Sequence, residues 1–248
     1  MPRFFVSPIP MGVDTVTIDG EDARHISFSL RMRTGDEIVL CDGEGRDYLG
    51  TIREMDGKTV TLSLSAPQES ATEMPHRVRL YQSVPKGDKF DYIVQKATEL
   101  GVCEIVPVYS ARCIVRPDEK SDGKRRERLN RIAREAAMQS GRGRIPTVSS
   151  PLSFAEAVAA AKNESSFICY ENERALSLRE FLGKIPDGAP DSAAVSFFVG
   201  PEGGYAPEEI RAAEAAGIAV VGLGSRILRA ETASGFVLSC LCYEWEMQ

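Results

Sequence analysis

From Val78 to Trp245 the chain repeats one pattern, a short apolar run followed by a longer amphipathic stretch. The runs VRLYQSV (Val78–Val84), EIVPVYS (Glu104–Ser110), SFICYE (Ser166–Glu171), VSFFVG (Val195–Gly200) and IAVVGLG (Ile218–Gly224) read as strands. Lys89–Leu100, Gly123–Gln139, Phe154–Ala161, Pro207–Ala216 and Thr232–Trp245 read as helices between and after them. Gly101 suits a helix C-terminus and Pro207 a helix start. A strand that is apolar throughout must be covered on both faces, and helical crossovers supply that cover. The pattern therefore restricts this part of the chain to an α/β domain around a buried parallel sheet.

The first 65 or so residues follow a different rule. Val16–Ile18, Glu37–Asp42, Tyr48–Ile52 and Thr59–Leu64 are rich in β-branched residues, and Asp42-Gly43, Glu44-Gly45 and Asp56-Gly57 punctuate them as hairpin turns. A small β-barrel or sandwich is expected, with one short helix at Glu21–Leu30. Residues 66–76 lack periodicity, contain two prolines and read as a linker. The expected domains are 1–70 and 75–248.

Charge is unevenly spread. The chain as a whole carries −6, and residues 1–73 alone hold seven basic and thirteen acidic residues. Residues 110–146 hold eleven basic and five acidic ones. A local basic stripe on an acidic protein can bind phosphate, or it can be a solvated helix face. The six cysteines are scattered without a C-x-x-C pair and only two histidines exist, so no metal site is expected. No apolar run is long enough to cross a bilayer, and MPRFFVSPIP lacks the charged and apolar regions of a secretory signal. A cytoplasmic protein with no membrane partner is the expectation.

Parallel sheets bind ligands at the carboxyl ends of their strands. Two strand ends are unusual. VSFFVG runs into Gly200-Pro201-Glu202-Gly203-Gly204 and a helix, and VVGLG runs into the arginine-bearing loop Ser225–Glu231. Paired glycines permit left-handed backbone and close approach to a ligand, although a tight turn alone would also use them. The P-loop, nicotinamide-binding and G-x-S-x-G signatures are absent, which removes three common enzyme classes. The residues alone lead to an α/β protein with a ligand on two glycine-bearing loops.

Five segments extend this. G-P-E-G-G (Gly200–Gly204), L-G-S-R-I-L-R-A-E-T-A (Leu223–Ala233), K-G-D-K-F-D-Y-I-V-Q-K-A-T-E-L-G-V (Lys86–Val102), E-A-A-M-Q-S-G-R-G-R-I-P (Glu135–Pro146) and H-I-S-F-S-L-R-M-R-T-G-D-E-I (His25–Ile38) stand in order along nearly the whole chain. Together they resemble the bacterial 16S rRNA uridine N3-methyltransferases of the SPOUT superfamily. Ser225 stands where that family often has proline. The resemblance implies a PUA-like β-barrel followed by an α/β domain with a C-terminal trefoil knot, a homodimer, and methyl transfer from S-adenosylmethionine to 16S rRNA of the small ribosomal subunit.

It also implies roles. Tyr170, Gly200, Gly203, Gly204, Leu223, Gly224, Ile227, Leu228 and Thr232 would hold the cofactor, with Leu223, Ile227 and Leu228 on adenine and the Tyr170–Glu171 strand end as a third wall. Glu202 and Arg229 would act on the acceptor, Glu202 alternatively serving a helix N-terminus and Arg229 alternatively pairing with Glu231 or with the other subunit. Thr232 is equally a candidate cap for the last helix. Arg3, Arg24, Arg31, Arg33, Arg112, Arg116, Arg142 and Arg144 are candidate phosphate contacts. The competing readings are another SPOUT activity such as ribose methylation, a silent RNA-binding or assembly protein, and an unrelated nucleotide-binding α/β protein.

Overall fold

The computed structural model describes all residues except 7–8, 11, 115–118, 174, 186–193 and 248, and describes 119–121 by backbone alone. The chain divides into two compact units, one of Met1–Glu73 with Ala137–Ile145, the other of Met74–Ala136 with Pro146–Gln248.

The first unit is a small curled sheet, a half-barrel. Its elements are β1 (Arg3–Phe5), β2 (Thr15–Ile18), α1 (Gly20–Arg24), β3 (Glu37–Cys41), β4 (Arg46–Met55), β5 (Val60–Leu64) and β6 (Gln68–Glu69). The strand order is β1-β3-β4-β5-β2, with β6 also on β4. Gly43, Gly45 and Gly57 all have positive φ, as the tight turns require. A register shift at Ile52/Glu54 bends the long strand β4. Ile26, Ile38, Leu40, Ile52, Val60 and Leu62 are fully buried inside the curl.

Two expectations for this region change, and one strand is new. The helix expected over Glu21–Leu30 is α1 followed by a wide π-helical turn at His25–Ser29. The 66–76 stretch is not a plain linker, because β6 pairs Arg46↔Glu69 and Asp47↔Gln68. β1 runs parallel to β3 and was not legible, since a three-residue edge strand has no period to detect.

The second unit holds β7 (Arg77–Ser83), α2 (Lys89–Glu99), β8 (Glu104–Tyr109), α3 (Glu119–Gln139, whose end belongs to the first unit), β9 (Thr147–Val148), β10 (Leu152–Ser153), α4 (Phe154–Ala161), β11 (Ser165–Cys169), α5 (Leu178–Leu182), β12 (Ala194–Val199), α6 (Pro207–Ala215), β13 (Ala219–Val221) and α7 (Ala230–Glu246). Every strand pair in its sheet is parallel, in the order β10-β8-β7-β12-β11-β13, with β9 also on β8. β12 is buried at all six positions, as an apolar central strand must be. Phe167 and Phe197 pack into the core on one side of the sheet with α2 and α7, while Tyr81 stacks on Phe198 on the other at 4.4 Å. Ser153 and Ser177 start α4 and α5 with reciprocal caps to Glu156 and Glu180.

Candidate active site

The carboxyl ends of β11, β12 and β13 surround a cleft of about 470 Å³. β12 delivers Gly200–Tyr205, β13 delivers Leu223–Arg229, and Tyr170 and Glu171 follow β11. Lys89 from α2 and Ala230 and Ala233 from α7 complete the wall.

Backbone geometry explains the glycines here. Gly204 has φ +65°, and a Cβ on it would lie 2.8 Å from Glu171 Oε1. Gly224 has φ +102° with open space where a side chain would stand. Both positions strain any L side chain, so the loops stay bare where the chain borders the cleft. Gly222 is tighter still. Its Cβ would meet the Glu173 carbonyl at 2.5 Å, and its N–H donates to the Leu176 carbonyl at 2.9 Å. The chain leaving β13 thus passes flush against the Glu173 and Leu176 carbonyls. Arg112 secures the other loop by donating from Nη1 to the Gly203 carbonyl at 2.6 Å.

The cleft carries both signs of charge. Lys89 Nζ lies 2.9 Å from Glu202 Oε1 and 3.6 Å from Glu231 Oε2, and the Lys86 N–H donates to the same Glu202 oxygen. Partial burial pushes the Glu202 carboxyl up, but the Lys89 and backbone hydrogen bonds outweigh it and hold the group below the usual carboxylate range. The bond to Glu202 correspondingly raises the Lys89 ammonium. Arg226 and Arg229 stand on the opposite loop, and Arg229 has no ion-pair partner among the described residues.

Eight of the nine expected cofactor residues line this cleft, as do Glu202 and Arg229. Thr232 does not; it is exposed in the first turn of α7. Nor does it cap that helix, whose N-cap is Arg229. Ile227 borders the cleft yet is 81% exposed, whereas Leu223 and Leu228 are half-buried. The alternatives given for the acceptor-side pair also change. The carboxylate at the start of α6 is Glu209, which accepts from Ala206 N–H at 2.9 Å and Ala111 N–H at 2.8 Å, leaving Glu202 to Lys89. Glu231 pairs with Lys89 and not with Arg229. Lys89 itself was missed. Its K-G-D-K segment was visible, but nothing local reveals a partner at Glu202, far along the chain.

The candidate phosphate contacts divide. Arg3 is bound by both oxygens of Asp47, at 2.6 and 2.7 Å, and Arg142 is 2% exposed and bound to Glu73. Both are structural and unavailable to phosphate, because each already spends its fork on a carboxylate inside the first unit. Arg112 and Arg144 are exposed, the former holding Gly203 and the latter lying against Gly45. Arg24, Arg31 and Arg33 are exposed. Arg116 lies outside the described residues.

Burial pushes the Cys41 and Cys242 thiols up to about 11, and Cys169 higher, so none of these three is a ready thiolate. Among the described residues no group of three or more His, Cys, Asp and Glu is placed to hold a metal, and no helix is long and apolar enough to cross a membrane.

Comparison with known proteins agrees with this architecture. Residues 72–242 match a family model described as an RNA methyltransferase domain, and residues 18–65 match an RNA methyltransferase PUA domain. Ribosomal RNA small subunit methyltransferase E of Bacillus subtilis is 32% identical over 252 residues, covering 100% of this chain and 98% of that protein. The enzyme of the same name from Synechocystis is 31% identical, covering 96% of this chain and 76% of that one. The crystal structure of ribosomal RNA small subunit methyltransferase E from Neisseria gonorrhoeae bound to S-adenosyl methionine superposes with a TM-score of 0.85 at 34% identity, covering 99% of this chain and 98% of that one. A PUA domain, a parallel-sheet methyltransferase domain and full-length likeness to these enzymes place the chain in the RNA methyltransferase family.

Proposed function

We propose that this chain transfers a methyl group from S-adenosylmethionine to N3 of a uridine in 16S rRNA of the small ribosomal subunit. The observation that carries the reading is the convergence of both glycine-bearing loops on one cleft with Lys89, Glu202, Arg226 and Arg229 on its walls. The residues present fit the cofactor. Apolar side chains at Val199, Leu223, Leu228 and Ala233 offer a surface for adenine, and the cleft volume lies in the range of small-molecule sites. Charges of both signs suit a ligand that has both.

When bound, S-adenosylmethionine supplies an electrophilic methyl group. The chain's own task is to present uridine N3 in line with it, and alignment contributes much of the rate in such transfers. The N3 proton must leave for the nitrogen to become a good nucleophile. A carboxylate held below its usual range is a weak base, so Glu202 serves better as an anchor than as a proton acceptor. Arg229, with no ion-pair partner among the described residues, is the group to stabilise the anion developing on the base. The flush passage of Gly222 against the Glu173 and Leu176 carbonyls supports a trefoil knot here. Exposed Phe236, Tyr243 and Met247 on or beside α7 support a homodimer, and we assign the activity to the cytoplasm, where ribosomes are.

The test is to incubate the purified protein with labelled S-adenosylmethionine and small subunits lacking the modification, then to analyse the nucleosides by mass spectrometry. N3-methyluridine is the expected product. A ribose-methylated nucleoside would overturn the specificity, and cofactor binding without any labelled RNA would favour a silent binder.

A further inference from the structure

We propose that Phe28, on the π-helical turn of the first unit, is a stacking platform for a nucleobase of single-stranded RNA, with Arg24, Arg31 and Arg33 holding the flanking phosphates. The proposal rests on the reading above that the substrate is RNA, and names the chemistry by which the first unit would take hold of it.

Phe28 is 66% exposed, which is unusual for a phenyl ring in a unit with its own apolar core. Its tip rests on the Asp56-Gly57 turn, where a Gly57 Cβ would lie 3.0 Å from Cζ. The ring is therefore seated by backbone and still open to solvent. The turn that carries it is a rare form. Leu30 N–H reaches back to the His25 carbonyl at 2.9 Å, and Met32 N–H to the Ile26 carbonyl at 3.1 Å. The bond across Arg31 is one residue longer than the usual six-to-one closure of a helix end, where the left-handed position is normally glycine. Here that position is Arg31, with φ +53°, the only non-glycine residue with positive φ among those described. A side chain kept where glycine would be easier points to a use for the side chain.

The charge is also specific. From Arg24 to Gly35 there are three arginines, one histidine and no acidic residue, within a unit that is otherwise acidic. Arg3 and Arg142 are consumed by Asp47 and Glu73, but Arg24, Arg31 and Arg33 are exposed and have no ion-pair partner among the described residues. An open ring on a stretch of chain that carries three exposed arginines suits a nucleobase and its phosphates better than an apolar protein surface. Residues 18–65, which contain the whole turn, match the RNA methyltransferase PUA domain.

The experiment measures binding of the full chain to fluorescein-labelled oligouridylate by anisotropy, over a series of salt concentrations. Phe28→Ala and Phe28→Leu should each lose about tenfold in affinity with the salt slope unchanged, while Phe28→Trp keeps wild-type affinity. Arg31→Ala should reduce the slope by about one. An unchanged circular dichroism spectrum and an unchanged unfolding midpoint in each variant show that the first unit keeps its fold. Wild-type affinity in Phe28→Ala, or in Phe28→Leu, overturns the platform, as does a change in solution mass without a change in RNA affinity. Methyl transfer to small subunits is measured alongside. Transfer by the wild type with no effect of Phe28→Ala on RNA affinity sinks the platform alone. Loss of affinity in Phe28→Ala, with no transfer by the wild type, keeps the platform and sinks the methyl-transfer reading.

Discussion

The strand-end cleft of the second unit and the arginine-bearing surface of the first are built by opposite means. The cleft is shaped by backbone, with Gly204 and Gly224 left-handed and Gly222 pressed against a carbonyl. The surface is shaped by side chains, and whether each arginine is structural or free depends on whether a carboxylate has reached it. Arg142 and Arg144 show this at close quarters. They lie two residues apart, one 2% exposed and bound to Glu73, the other exposed. Backbone requirements leave a mark in sequence because few residues satisfy them. The fate of an arginine does not, because its partner can be anywhere in the chain.

The first way to break this comparison is Arg142→Ala. Removing the guanidinium leaves the half-buried Glu73 with only the Gly143 and Arg144 backbone N–H groups, and the expected loss is about 3 kcal/mol, read by denaturant unfolding. If Arg142 were an RNA contact, stability would stay put and RNA affinity would fall. Next comes Arg229→Gln, which should lower kcat about 100-fold with S-adenosylmethionine affinity unchanged. A loss confined to cofactor binding would move Arg229 to the donor side. Gly222→Ala follows. Its methyl group would have to displace the Glu173 carbonyl, at a cost of about 1–3 kcal/mol in stability.

Lys89→Met sharpens the cleft side. The Glu202 carboxyl is held down by Lys89, so it stays ionised through the ordinary carboxylate range and loses its charge only as pH falls through its lowered value. Without Lys89 that loss occurs at higher pH. The acid limb of the rate profile should therefore move upward, and Lys89→Arg should restore it. An unmoved limb would separate Glu202 from the reaction. The smallest effect is expected at Arg24→Ala, with stability within about 0.5 kcal/mol of wild type. Its RNA affinity should depend on salt with a slope reduced by about one.

Most of the second unit was legible because its strands are long apolar runs. β7, β8, β11, β12 and β13 fall inside or within a residue of the segments expected for them, and α4 matches residue for residue. β9, β10 and β6 are two-residue pieces whose pairing is set by distant strands, which no local pattern encodes. The π-helical turn at His25–Ser29 was hidden inside an apparently ordinary helix, since both have similar apolar spacing. In the cleft, the glycines and Glu202 stood out in sequence. Lys89 did not, because an ion pair between α2 and the Gly200–Gly204 loop exists only after folding.

The most direct measurement is a crystal structure of the chain with S-adenosylmethionine. The account predicts the cofactor between the Gly200–Gly204 and Leu223–Arg229 loops, with its methyl carbon turned toward the side bearing Glu202 and Arg229. A cofactor bound elsewhere, or one whose methyl group faces away from both residues, would contradict it.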